Sequence, residues 1–215
     1  MWEDLLIRKL EKWRASEAFA LLTEEFVRHN VIHKTLNTNL DDYQSRFHNE
    51  FQNILDEGMS LIAIDPTTKK LVGVLLATDL VKSTQIQAEK IDPSPLNALC
   101  DELKQNYLAL HPRSVGEALL VDMVAVSQMY RQQGIYRKLR LKINEVALMH
   151  NYKYVVGELS SALTQKFLLE KMGHKTVTQI EYKTFFHRGN FPFAMIKEPS
   201  SIVFCEHKIS WSDKS

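Results

Sequence analysis

Cysteine is scarce in this chain: Cys100 and Cys205 are the only two, with no CxxC pair and no spacing suited to zinc. That excludes a disulfide framework and predicts no bound metal, and free thiols fit a reducing compartment, so the expected location is the cytoplasm. Net charge is scarce too. The 27 Lys and Arg against 26 Asp and Glu leave a formal charge of +1, without the basic excess of a protein that grips a nucleic-acid backbone. Long apolar runs are missing: the longest, ALLV followed after Asp122 by MVAV, is far too short to cross a bilayer. The opening MWEDLLIRKLEKW is charged throughout and has no signal-peptide core. No nucleic-acid partner and no membrane are therefore expected. Two common phosphate signatures, GxxxxGK[ST] and GxGxxG, are also absent, which removes a P-loop or a dinucleotide-binding fold.

What is there is ordinary globular material, 45% hydrophobic and 25% charged over 215 residues, without internal repeats. It fits one compact domain over residues 1–215. LLIRKL (5–10) reads as a short first strand. Residues 16–29 read as a helix with Ser16 as N-cap and Ala18, Leu21, Leu22 and Phe26 on its apolar stripe. A second helix spans 41–58, stopped at Gly58, and VIHKTLNTN joins the two. SLIAID (60–65) and LVGVLLATDL (71–80) form an antiparallel pair around a DPTTKK turn. Residues 81–94 read as an exposed linker, and 95–110 as a helix with Pro95 in its first turn. EALLVDMVAV (117–126), apolar except for Asp122, reads as a central strand covered on both faces. A helix after Gly134, a strand at 152–159, a helix at 161–172 stopped by Gly173, and β-rich segments at 175–185 and 200–209 complete the order. The strand–helix–strand unit implies a parallel pair with a right-handed crossover.

The loop between strand 117–126 and the following helix, SQMYRQQGIY, raises the functional question. A helix start offers unpaired N–H donors and the positive end of the helix dipole, which together attract an anion. RQQGIY lines up such amides, Gly134 allows close approach to the backbone, and Arg131, Arg137, Lys138 and Arg140 add positive charge. A pyrophosphate suits this chemistry better than one carboxylate. The alternative is a glycine-started helix whose basic face is merely solvated. RKLRLK (137–142), taken as a nucleic-acid patch, is at odds with the near-neutral charge.

An apolar strand ending at Val126, then this loop and an amphipathic helix, resembles the acetyl-CoA signature of the GNAT acetyltransferases: Gln or Arg, two variable residues, Gly, one variable residue, then Gly or Ala. Arg131 and Gly134 match, and Tyr136 stands where Gly or Ala is usual. KFLLEKMGHKTV (166–177) resembles the family's helix ending in Leu-Gly-Phe, with Met172 and His174 as the departures. The resemblance implies an α/β GNAT fold: one central mixed, mostly antiparallel sheet with a splayed parallel strand pair and helices on both faces. It also implies acetyl-CoA as co-substrate. Backbone groups around Val124, Ala125 and Val126 would hold the pantetheine arm. The amides of Gln132, Gln133, Gly134, Ile135, Tyr136 and Arg137, with Arg131 beside them, would hold the pyrophosphate. Thr164, or Ser161 one turn earlier, would approach the far side of the thioester.

The resemblance further implies direct acetyl transfer to an amine in a ternary complex, which calls for a group to remove a proton from the amine. Asp122 is the first candidate, as the only charge in a strand expected to be buried, where burial would favour its neutral form. The other reading is an aspartate satisfied by neighbouring polar groups. FVRHNVIHKTLN (26–37) resembles the segment after the first helix in the invertebrate arylalkylamine branch. His33 and Lys34 stand at its acidic pair, and Leu36 and Asn37 match. His33, in a loop, is the second candidate base, its other reading being plain surface. Glu158 is placed to accept a hydrogen bond or a cationic acceptor, and His174 to pack as an aromatic would. No tyrosine in 161–172 matches the family's proton donor, since Phe167 and Leu168 hold those places. Tyr43, Phe47 and Phe51 line an aromatic pocket or belong to the core. The expected partner is a small primary amine, of the arylalkylamine or polyamine kind. The alternative function is an acyl-CoA-binding sensor or partner-binding module of low catalytic power.

Overall fold

The computed structural model describes residues 5–88 and 94–210. Seven strands form one sheet in the order β1-β2-β3-β4-β5-β7-β6. They are β1 Leu6–Lys9, β2 Leu61–Ile64, β3 Leu71–Asp79, β4 Ala118–Val126, β5 Tyr154–Leu159, β6 Lys175–Glu181 and β7 Ser201–Lys208. Every neighbouring pair is antiparallel except β4 and β5. The helices are α1 Ala15–His29, α2 Val31–Thr35, α3 Leu40–Glu57, α4 Leu80–Ala88, α5 Pro95–Leu110, α6 Ile135–Met149 and α7 Ala162–Lys171.

Side-chain alternation along the strands decides which helix covers which face. Leu61, Ala63, Val72, Leu75, Leu119 and Val121 pack against Ile135, Leu139 and Ile143 of α6. Ile62, Ile64, Val74, Leu76, Met123 and Ala125 point the other way, against Leu22 of α1 and Phe47, Phe51 and Ile54 of α3. Farther along the sheet, α5 with Leu99, Leu103 and Tyr107 continues the α1/α3 face over Val156 and Phe204. The α7 residue Leu168 continues the α6 face over Leu159, Val203 and Cys205. Gly73 marks the tightest approach of helix to sheet: a β-carbon there would lie 2.9 Å from Ile135 Cγ2 and 3.2 Å from Leu139 Cδ1.

Several local expectations need correction. Ser16 does not cap α1. A 3-10 turn at Lys12–Arg14 runs straight into the helix, Arg14 occupies the cap position, and no side chain caps it. The stretch between α1 and α3 contains the helix α2, because Asn30 Oδ1 accepts from Ile32 N at 2.9 Å and restarts the chain as a helix. The linker expected at 81–94 is helical through Ala88, since buried Asp79 accepts from Val81 N and Lys82 N (2.9 and 3.1 Å) as an N-cap; residues 89–93 lie outside the described part. Ser94 caps α5 with Pro95 in the first turn. Cys100 and Cys205 are both free thiols. Among the described residues, no helix is long and apolar enough to cross a membrane.

β4 is covered on both faces only in its first half. Its parallel register with β5 runs from Ala118↔Tyr154 to Val121↔Gly157 and stops there. On the opposite side, the register with β3 slips between Leu76↔Met123 and Ala77↔Val121. Asp122 is therefore the extra residue of a β-bulge, a feature that bends and twists a strand. The bulge coincides with the parting of β4 from β5, and it places Asp122 where the two strands open.

Candidate active site

The opening between β4 and β5 leads into a cavity of about 790 Å³ that is lined from both faces of the sheet. On the α6 face its walls include Tyr136, Arg137, Arg140, Leu163, Thr164 and Phe167. On the α1/α3 face they include Phe26, His33, Tyr43, Phe47, Cys100 and Lys104, together with the carboxylates Glu50, Asp122 and Glu158. The cavity thus threads the sheet at the one place where strand pairing is absent. A molecule entering from α6 can meet one entering from α1 and α3 there.

The α6 entrance is built from backbone. Gln132 and Gly134 are both left-handed (φ 62° and 76°), a geometry that curls successive amides toward one side. Glycine suits the second position, and a β-carbon there would meet nothing within 4 Å. The first helical hydrogen bond is Lys138 N to Gly134 O at 3.0 Å. The amides of Ile135, Tyr136 and Arg137 therefore lie ahead of the ladder, at the positive end of a 15-residue helix.

The edge of β4 supplies a second row. Ser127 N donates to Val72 O at 2.9 Å, so backbone groups of alternate residues point away from β3. Val124 and Val126 are those residues, and β5 has parted from them. Both their amides and their carbonyls are directed into the opening, ready to pair with an extended amide-bearing chain. The donor set thus suits a pantetheine arm ending in a pyrophosphate.

Several side chains at this entrance have partners of their own. Arg131 lines the cavity, but its guanidinium is paired with Glu25 at 2.6 Å. Glu25 also accepts from Gln128 N at 3.1 Å, tying α1 to the loop. The Gln133 side chain turns back toward the Met129 carbonyl (3.5 Å) and is not part of the wall. Tyr136 packs edge-on against Phe167, ring centroids 5.7 Å apart, in the small α7 cluster. Thr164 Oγ1 donates to Ser161 O at 2.9 Å, and both residues line the cavity.

The α1/α3 end is acidic and aromatic. His33, expected in a loop, lies in α2 and is buried, with Nδ1 3.2 Å from Thr38 Oγ1 and its ring edge-on to Tyr43 at 4.6 Å. Burial, helped by the charge of Arg46, pushes its pKa down to about 4. It is neutral at physiological pH. Tyr43 stacks on Phe47 at 5.6 Å, and burial with nearby Asp122 raises its phenol well above the usual range. Phe51 is core and takes no part in the wall. Glu158 faces Lys104, whose ammonium is 2% exposed and 3.4 Å from Glu158 Oε1. Despite its burial, Lys104 has its pKa raised, chiefly by Glu158 and then by Asp122. Asn30 closes the far rim, its Nδ2 donating to Ser160 Oγ at 2.9 Å.

Lys104, Glu50, Glu25 and Asn30 were not singled out from the sequence. The first three sit on helices and Asn30 between two, at positions indistinguishable from solvated ones until the helices are packed. His174 behaves as expected of an aromatic substitute: it is buried, 5.0 Å from the His207 ring.

No family model matches the sequence, and no curated protein matches it closely enough to count as a relative. Solved structures do match. The C-terminal condensation domain of Ebony, determined with beta-alanyl-dopamine, superposes with a TM-score of 0.83 at 13% identity, over 96% of this chain and 99% of that one. Arylalkylamine N-acetyltransferase 2 from Aedes aegypti gives 0.77 at 18% identity, over 97% and 100%. Drosophila melanogaster polyamine N-acetyltransferase gives 0.74 at 13%, over 96% and 100%. With its seven-stranded sheet, its single parallel pair and the opening between those two strands, the chain has the GNAT fold.

Proposed function

We propose that this protein is an acetyl-CoA-dependent N-acetyltransferase whose acceptor is a small primary amine, in the first instance an arylalkylamine. The observation that carries the reading is the cavity through the sheet, with anion-seeking amides at one end and a carboxylate-rich aromatic chamber at the other. The amides of Gln132 through Arg137 hold the pyrophosphate, with Arg131 at their edge. Val124 and Val126 pair with the pantetheine arm. Bound acetyl-CoA supplies an activated thioester carbon for direct attack by the amine nitrogen.

An alkylammonium is attracted by the formal excess of three carboxylates (Glu50, Asp122, Glu158) over the one ammonium of Lys104. Its aromatic body fits against Phe26, His33, Tyr43 and Phe47, where ring faces also favour a nearby cation. An alkylamine has a pKa of about 10, so roughly one molecule in a thousand is neutral at pH 7, and a proton must be taken up before attack. Asp122, at the bulge, faces the chamber and is the residue we assign to receive it, directly or through water. His33, neutral and held by Thr38, is the second acceptor of that proton. The aromatic lining of the chamber suits an arylalkylamine better than a wholly aliphatic polyamine, which supports the arylalkylamine class.

The pairing of Arg131 with Glu25 and the tyrosine at 136 favour a second reading, in which the protein binds acyl-CoA with little turnover. Free-thiol release from acetyl-CoA across a panel of arylalkylamines and polyamines separates the two. Turnover restricted to arylalkylamines supports the first reading. Thermal stabilisation by acetyl-CoA without turnover on any amine moves the assignment to the second, and neither response sinks both.

A further inference from the structure

Arg140 is the largest fully buried side chain among the described residues, 2% exposed, and it lines the cavity. Among the described residues its one hydrogen-bond contact is from Nη2 to His174 Nε2 at 3.4 Å, and its Nε has no partner there. No carboxylate pairs with it among the described residues. Nor can its neighbours carry a balancing charge. His174 is held neutral by burial and by Arg140 itself. Cys205, 3.5 Å from His174 Nδ1, remains a thiol because burial pushes its pKa up to about 11. Asn144, one turn farther along α6, is buried with its Oδ1 unpaired, but it is an uncharged acceptor. A guanidinium withdrawn from water without a counter-charge is costly, so a ligand that supplies the charge is the economical account of why it is there.

The position says which part of a ligand that is. A β-carbon built on Gly157 would lie 3.2 Å from Val121 O and 3.9 Å from Arg140 Nη1. Val121 and Gly157 are the last paired residues before β4 and β5 separate. The guanidinium therefore borders the base of the opening. Arg140 lies six residues past Gly134, about 9 Å along the helix, too deep to serve the pyrophosphate site at the helix start.

From this geometry we infer an anion subsite at the base of the opening, formed by Arg140, that takes a carboxylate at the far end of the donor's acyl group. The inference rests on the CoA-thioester reading above and widens the donor range to include short dicarboxylic acyl groups. A planar carboxylate matches a guanidinium edge in a way that a neutral acyl end cannot.

Butyryl-CoA and succinyl-CoA have four-carbon acyl chains and differ in the terminal carboxylate, so titration calorimetry of the purified full chain with each is the test. The wild type is expected to bind succinyl-CoA about tenfold more tightly, the factor corresponding to one charge-assisted hydrogen bond. In Arg140→Met the ratio should fall to near one, and the ligand-free variant should melt higher because an unbalanced buried charge is gone. Equal affinities in the wild type overturn the inference, and that comparison stands even if the variant fails to fold. If free succinate or chloride protects the protein from thermal unfolding as strongly as succinyl-CoA does, the subsite holds a loose ion and the donor assignment fails. Binding of neither thioester sinks the CoA reading and this inference together, whereas binding of both without preference sinks the inference alone.

Discussion

Asp122 shows what a single residue inherits from its place in a strand. As the extra residue of a bulge it is turned into the carboxylate-rich chamber, near enough to Lys104 and Tyr43 to perturb both. Asp122→Asn keeps the shape and removes the proposed proton acceptor. Thiol release should fall by about a hundredfold or more with the melting temperature held, and undiminished turnover would transfer the role to His33. The buried histidines make a second, separate prediction. His33 and His174 have folded-state pKa values below the ordinary 6.5, His33 at about 4 and His174 lower still. The unfolded chain therefore binds more protons below about pH 6.5, and stability falls as pH drops from there toward the folded values. Each should cost on the order of 1–2 kcal/mol between pH 7 and pH 5. Urea titrations of His174→Phe should show a shallower acid loss than the wild type. The chemistry of these residues was legible in the sequence, because an aspartate in an apolar strand is conspicuous. The burial of His33 was not, since five residues of helix capped by Asn30 look like a loop until packed.

At the scale of elements, α6 carries most of the design. Its start is fixed by Gly134 and its depth by Gly73, and the two glycines fail in different ways. Gly134→Ala meets open space but strains a left-handed residue, so it should cost about 1 kcal/mol of stability. The same change should weaken acetyl-CoA binding several-fold in calorimetry, because the loop amides would be re-aimed. Gly73→Ala puts a methyl 2.9 Å from Ile135, an overpacking expected to cost about 1–3 kcal/mol and to show first as a lowered melting temperature. If Gly73→Ala proves neutral, α6 is not fixed against β3 as described. Periodicity announced α1, α3 and α6, because their apolar stripes are long and regular. It missed α4 and α2, where short helices depend on the capping groups Asp79 and Asn30 rather than on a stripe.

For the whole molecule, the consequence of a cavity through the sheet is that one ligand braces both faces. Acetyl-CoA at a hundred times its Kd should add about 2.7 kcal/mol of stability. In a chain of this size that is a rise of roughly 5–11 °C in melting temperature, readable by calorimetry, and no rise would argue against the donor site altogether. By itself the sequence determined the order of the strands and the longer helices, the parallel crossover and the glycine-containing helix start after β4, because periodicity, helix starts and glycine positions act within a few residues of one another. Tertiary structure decided which carboxylates and cations share a space. Glu25 meets Arg131 across 106 positions of chain, and Lys104 meets Glu158 from another helix. It also decided that Arg140, one of four basic residues at the start of α6, lies under the sheet opening rather than in water. Such pairings depend on which helix face the packed sheet covers, a choice made by the burial of the whole core and not written in any one segment.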